Sequence, residues 1–135
     1  KRKSMAQGVS EYIDFKGEVS DRELAGLYNS ADIFLMPSSG EGQGLVFLEA
    51  MQFSLPIIAL RNSPAEELIS HNESGRLLEQ KTPEEITASV CALLAEPDRM
   101  RQIGRAAHKH YADLDVMHTF CSTLQRVVHG NTNSE

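Results

Sequence analysis

Apolar positions in this chain fall into two patterns. Residues 31–36, apolar but for Asp32, and residues 56–60 are short runs, ending Ile33-Phe34-Leu35-Met36 and Ile57-Ile58-Ala59-Leu60. Runs of this length read as strands buried on both faces of a parallel sheet. Pro56 leads the second run, at the position where a missing N–H does least harm to a strand. Residues 12–15, closed by Gly17, and residues 75–78 are predicted as two shorter strands.

Between these runs the apolar residues recur at helical spacing. Ser20 with Glu23 forms a capping box for a helix over residues 21–29, with Leu24, Leu27 and Tyr28 as its apolar face. Ser63-Pro64-Ala65-Glu66 repeats that chemistry with proline at the first helical position, opening a short helix through Ile69. Thr82-Pro83-Glu84-Glu85 does so again, and Ile86, Val90, Leu93 and Leu94 mark the buried face that follows. Pro97 opens a helix to about Tyr111. Residues 116–128 form another, residues 1–7 read as the end of a helix, and the tail after Val128 is expected to be loose. Strands alternating with helices through short connections specify an α/β fold, a partial doubly wound, Rossmann-like parallel sheet with helices on both faces. A single unit is expected across residues 1–135, with the sheet in the first 80 or so and C-terminal helices beyond residue 83.

Composition narrows the function. A chain of 135 residues can bury one real core and not two. Lys plus Arg is 13 against 19 Asp plus Glu, a net charge of −6, which argues against a nucleic-acid surface. Lys1-Arg2-Lys3 is then a solvated helix face. No apolar run approaches the roughly 20 residues of a membrane-spanning helix, and no signal-peptide pattern is present, so a cytoplasmic location is expected. Cys91 and Cys121, on separate predicted helices, read as reduced core or boundary thiols. His108 and His110 stand roughly 200° apart on a helix and cannot chelate one metal, and no zinc spacing occurs, so no metal site is expected.

The chemistry gathers in residues 37–49, PSSGEGQGLVFLE. An apolar run, a Gly-rich turn and an amphiphilic run read as strand, loop and helix. Such a turn aims the first helical N–H groups, which lack intrahelical partners, at a crevice beyond the strand end, where the helix dipole favours an anion. Glu41 lies in the loop and Glu49 in the second turn of the helix, whose side chain leans back toward the loop. The neighbours of Glu49 are Leu45, Val46, Phe47, Leu48, Ala50 and Met51, so its carboxylate should be partly buried and in need of partners.

This stretch resembles the E-x7-E signature of retaining glycosyltransferases of the GT-B fold, family four. Pro37, Ser38, Glu41, Gly42, Gly44, Leu45, Glu49, Ala50, Met51 and Pro56 match its pattern in order and spacing. The resemblance implies the later part of a C-terminal, donor-binding domain, with the acceptor domain and first donor-domain strands upstream of Lys1. It implies that Glu49 accepts hydrogen bonds from ribose hydroxyls, for which a carboxylate with two acceptor oxygens is suited. It places Glu41 beside the donor sugar as the catalytic residue, a carboxylate that can accept from a hydroxyl or stabilise positive charge building at the anomeric carbon, and gives Gly42, Gln43, Gly44, Leu45 and Val46 the role of binding sugar and diphosphate. Gly17 and Val19, flanking Glu18, match the turn beside the nucleobase. The implied partner is a nucleotide-sugar donor, with no further cofactor. The acceptor, a glycan, lipid or small molecule, would bind the missing half, which could also hold the enzyme against a membrane.

Two departures stand out. Gln43 replaces a common aromatic residue, and Ser63-Pro64 stands where a Gly-Gly pair is usual. Arg61 offers a cation for the diphosphate, although a surface role suits it better. Asp113-Leu114-Asp115 spells the D-x-D of metal-dependent enzymes of the other glycosyltransferase fold, but between tail helices instead of at a strand end. The alternatives are another GT-B enzyme, such as a sugar-nucleotide epimerase, and a non-catalytic α/β assembly module. A glycan phosphorylase would need a pyridoxal-binding lysine, and no plausible one follows the central loop. An exposed sheet edge on such a fragment predicts self-association.

Overall fold

Four apolar residues in succession, Ile57 to Leu60, cannot be satisfied by one covered face, and the chain buries both faces of the strand that they form. The computed structural model describes residues 8–38 and 44–114. The chain divides into two compact units, Lys1–Ser30 and Ala31–Glu135.

In the first unit, helix α1 (Asp21–Ser30) starts where the capping box predicts. Ser20 N–H donates to Glu23 Oε2 at 2.9 Å, and Glu23 N–H donates to Ser20 Oγ at 3.4 Å. Tyr28 is buried, whereas Leu24 lies at the exposed margin of the apolar stripe. The strand expected at residues 12–15 does not form. Residues Ser10–Tyr12 make a 3-10 turn, with Ile13 N–H donating to Ser10 O at 3.3 Å, and Tyr12 is 81% exposed. Extended backbone becomes a strand only when a neighbour takes its N–H and C=O groups, and no described strand pairs with it.

The second unit carries a parallel sheet in the order β1 (Phe34–Met36), β2 (Ile57–Leu60) and β3 (Gly75–Leu78). Phe34 is in register with Ile57, and Ile57 with Gly75. Side chains alternate across a sheet, so Phe34, Ile57, Ala59 and Leu77 share one face, and Ile58, Leu60 and Leu78 the other. Helices α4 (Pro83–Ala95) and α5 (Pro97–Asp113) cover the second face, where Ile58, Leu78, Leu93 and Ile103 form a core. On the first face Phe47 of α2 (Leu45–Gln52) meets Phe34 edge-on, with ring centroids 6.1 Å apart. Full burial of each such side chain contributes about 1.5–3 kcal/mol. Helices thus lie on both faces of a parallel sheet.

β1 is shorter than its apolar run. Pro56 has no N–H to give, and pairing begins where Phe34 N–H donates to Pro56 O at 3.0 Å. β1 is bonded on one side only among the described strands, and Leu35 is 43% exposed instead of buried.

The helix starts were legible, but their glutamates behave differently. Thr82 Oγ1 caps α4 by accepting from Glu85 N–H at 3.2 Å. The Glu85 carboxylate does not return to Thr82; it accepts from Glu79 and Gln80 N–H at 2.8 and 2.7 Å, tying the end of β3 to the helix. Along α4, Ile86, Val90 and Leu93 follow the i, i+4, i+7 stripe. Leu94 lies about 100° beyond Leu93 and is exposed, as is Cys91, while Ser89 takes a buried place. Thr82→Ala is expected to cost about 1 kcal/mol, which a melting curve would register as a fall of a few degrees.

α5 closes this unit against the end of α2. Gly104 lies so near the backbone of Ser54 that a Cβ there would overlap the Ser54 carbonyl oxygen, with its carbon at 3.0 Å. One turn on, His108 Nδ1 stands 2.9 Å from Gln52 O, at the end of α2, where carbonyls run out of intrahelical partners.

Candidate functional site

The site is built where β1 gives way to α2. Pro37 and Ser38 follow the strand, both half-buried. Residues 39–43 lie outside the described residues, and with them Glu41, Gly42 and Gln43. The description resumes at Gly44, the N-cap of α2, in the left-handed region at φ 67 and ψ 15. A residue with a side chain would be strained there by about 1–2 kcal/mol. It would also lack room, since a Cβ would meet Pro64 Cβ at 3.1 Å and Phe47 Cδ2 at 3.3 Å.

Gly44 offers no side-chain cap, and the first turn of α2 holds no acidic residue. Phe47 N–H donates to Gly44 O at 3.0 Å. The amides of Leu45 and Val46 come before the first intrahelical bond, at the positive end of the dipole. Phe47, Leu48, Ala50 and Met51 are buried. The open stripe of the helix therefore runs Leu45, Glu49, Gln52, at i, i+4, i+7. Leu45 is 48% exposed beside the half-buried Glu49, which is not without a partner. One and a half turns thus bring together Gly44, Leu45, Val46 and Glu49: a left-handed glycine, amides ahead of the first intrahelical bond, and a carboxylate on the open stripe. Such a set can hold an anion and accept hydrogen bonds from hydroxyls in one ligand. Gly17, at φ 67, and the half-buried Val19 belong to the first unit.

The turn after β2 meets the same glycine. Ser63 is buried; its Oγ donates to Leu60 O at 2.6 Å and accepts from Ala65 N–H at 3.2 Å. Helix α3 (Ala65–Leu68) follows, one residue later than the capping box implies, and the Glu66 carboxylate accepts from Asn62 N–H at 2.9 Å instead of from Ser63. Ser63-Pro64 stands out in the sequence as a departure, whereas its packing beside Gly44 does not. Only the fold joins positions twenty residues apart.

Arg61 is committed elsewhere. Its Nε lies 2.7 Å from Glu79 Oε1 and its Nη1 3.1 Å from Glu66 Oε1, and these carboxylates hold the guanidinium charged. The Asn62 amide, and then Arg61, hold the Glu66 carboxyl below its ordinary range. A carboxylate whose pKa falls on folding stabilises the fold above its unfolded pKa, and that contribution is lost as pH drops through the folded value. Melting temperature should therefore fall with acidification through and below the usual carboxylate range. Glu66→Gln should flatten that fall, which melts across a pH series would measure.

Asp113 is the last residue of α5, and Asp115 lies outside the described residues. Among the described residues no three His, Cys, Asp or Glu side chains are grouped to hold a metal ion, and no helix is long and apolar enough to cross a membrane. Two surface hollows, about 580 Å³ beside residues 95–105 and about 240 Å³ between residues 70–74 and 106–113, include no residue of the α2 N-terminus.

The family model described as glycosyl transferases group 1 matches residues 1–110. The GDP-mannose-dependent alpha-(1-6)-phosphatidylinositol monomannoside mannosyltransferase of Mycobacterium tuberculosis is 33% identical over 109 residues, covering 76% of this chain and 28% of that protein. The chain thus spans well under half of the length of that curated relative. Sucrose-phosphate synthase from Thermosynechococcus elongatus superposes with a TM-score of 0.82 at 22% identity, covering 97% of this chain and 34% of that one. Anabaena HepE, solved in complex with UDP-glucose, superposes with a TM-score of 0.79 at 20% identity, over 95% of this chain and 35% of its own. These likenesses give the fold: a Rossmann-like C-terminal domain of the GT-B kind.

Proposed function

The chain belongs to the glycosyl transferases group 1 family, and from that membership we propose that it is the donor-binding part of an enzyme that transfers a sugar from a nucleotide-activated donor, with retention. The observation that carries the proposal is the opening of α2. Gly44 in the left-handed region exposes the Leu45 and Val46 amides, and Glu49 follows one turn on along the open stripe. The amides, with those of Gly42 and Gln43, receive the diphosphate or the sugar. The Glu49 carboxylate receives the ribose hydroxyls. Glu41 stands beside the donor sugar and steadies the charge that develops at its anomeric carbon.

Catalysis in this reading is positioning together with stabilisation of the departing diphosphate, from donors already in place before the bond breaks. The nucleotide sugars named with the relatives support this reading: the mycobacterial mannosyltransferase is GDP-mannose-dependent, and HepE was solved in complex with UDP-glucose. Titration of the full-length protein with UDP and with GDP tests the proposal. Saturable binding of one of them, weakened by substitution at Glu49, is the expected result. Failure of both to bind at millimolar concentration would overturn it.

A further inference from the structure

The geometry points to Pro64 as a positioning residue for the α2 N-terminus, a role that rests on the donor-binding reading above. The space where a side chain at Gly44 would begin is filled, with Pro64 Cβ, Phe47 Cδ2 and Leu68 Cδ1 at 3.1, 3.3 and 3.5 Å from that point. Phe47 belongs to α2 itself. Pro64 and Leu68 come from the turn after β2 and from α3, so they form the outside wall that holds Gly44 in its left-handed conformation.

That wall is stiff for reasons visible in the turn. The proline ring fixes φ of Pro64, observed at −55. Ser63 Oγ is bonded on both sides, to Leu60 O and from Ala65 N–H. Asn62 N–H is held by Glu66, and Glu66 by Arg61, which also reaches Glu79 beyond the end of β3. Pro64 and Leu68 fill the space beside Gly44, so a change of its φ and ψ meets a turn held in place by its own bonds. Since Gly44 turns the chain into the helix, its φ and ψ set where the Leu45 and Val46 amides point. Ser63-Pro64 therefore fixes beforehand donor directions that a flexible pair would leave for the ligand to order, and ordering on binding costs affinity.

The contacting atom is Cβ, which Pro64→Ala retains and Pro64→Gly removes. The 15N-labelled chain and both variants are compared by amide exchange and by titration with UDP and with GDP. Pro64→Gly is expected to shift the Leu45 and Val46 resonances and to speed exchange of the Phe47 amide by about tenfold relative to Ile58 in β2. It should weaken binding of the nucleotide by a similar factor, and Pro64→Ala should restore most of both. Unchanged Phe47 exchange in Pro64→Gly would overturn the assignment, as would equal acceleration of Phe47 and Ile58, which is mere loss of global stability. Two variants behaving alike would overturn it too. If the unsubstituted chain binds neither nucleotide, the donor reading fails at this chain, and the exchange comparison alone decides the role of Pro64.

Discussion

Glu49→Ala is expected to lower nucleotide-sugar affinity of the full-length protein by about 10- to 150-fold and to leave the fold standing. Hydrogen bonds to a charged group are worth roughly 1.5–3 kcal/mol, and that range sets the factor. The fold should survive because α2 is held by Phe47, Leu48, Ala50 and Met51 on its buried sides, whereas Glu49 lies on the open stripe with Leu45 and Gln52. Glu49→Gln keeps the shape but exchanges one acceptor for a donor, so it should fall between. Calorimetric titration with the donor nucleotide and a melting curve on the same variants give the answer. A large loss of melting temperature with intact nucleotide binding would make Glu49 a structural residue and sink the ribose assignment.

Gly104→Ala should be the more damaging change to stability. The added methyl would overlap the Ser54 carbonyl oxygen and stand 3.4 Å from Pro56 Cδ. Overpacking commonly costs about 1–3 kcal/mol, and this site belongs at or above the upper end, because the obstacle is backbone and not a side chain that can turn away. Against a total stability of about 5–15 kcal/mol, that is a fall on the order of 10 °C in melting temperature. Gly26→Ala on α1, where nothing lies within 4 Å, should instead be neutral or stabilising by about 0.4–1 kcal/mol. Equal melting temperatures for Gly104→Ala and the parent would show that α5 can lift from Ser54 without cost.

Much of this was written in local chemistry. The β2 run is buried as its four apolar residues require, and the β3 boundaries at Gly75 and Leu78 are those that the sequence suggests. Ser20 with Glu23 forms its capping box in full, since both partners are close along the chain. What failed depended on neighbours. Residues 12–15 have strand-like composition but no described strand to pair with. Glu66 and Glu85 sit at capping-box positions, yet each found backbone amides outside its own helix. Leu94 looks buried by hydropathy and is exposed by angle. At the site, the E-x7-E spacing brought Glu49 into view, and Gly44 could be read as the turn. The wall of Pro64 and Leu68 could not, because a contact between separate elements leaves no trace in spacing.

α2 is fastened from outside at both ends, by Pro64 and Leu68 at Gly44 and by Gly104 and His108 at Ser54 and Gln52. A rod held in this way has no freedom of length. One residue inserted between Leu45 and Glu49 would turn everything beyond it by about 100° and lengthen the helix by about 1.5 Å. Either the far fastening would break, or the carboxylate would swing off the open stripe into the apolar packing. A change of length within α2 is thereby opposed at both of its ends.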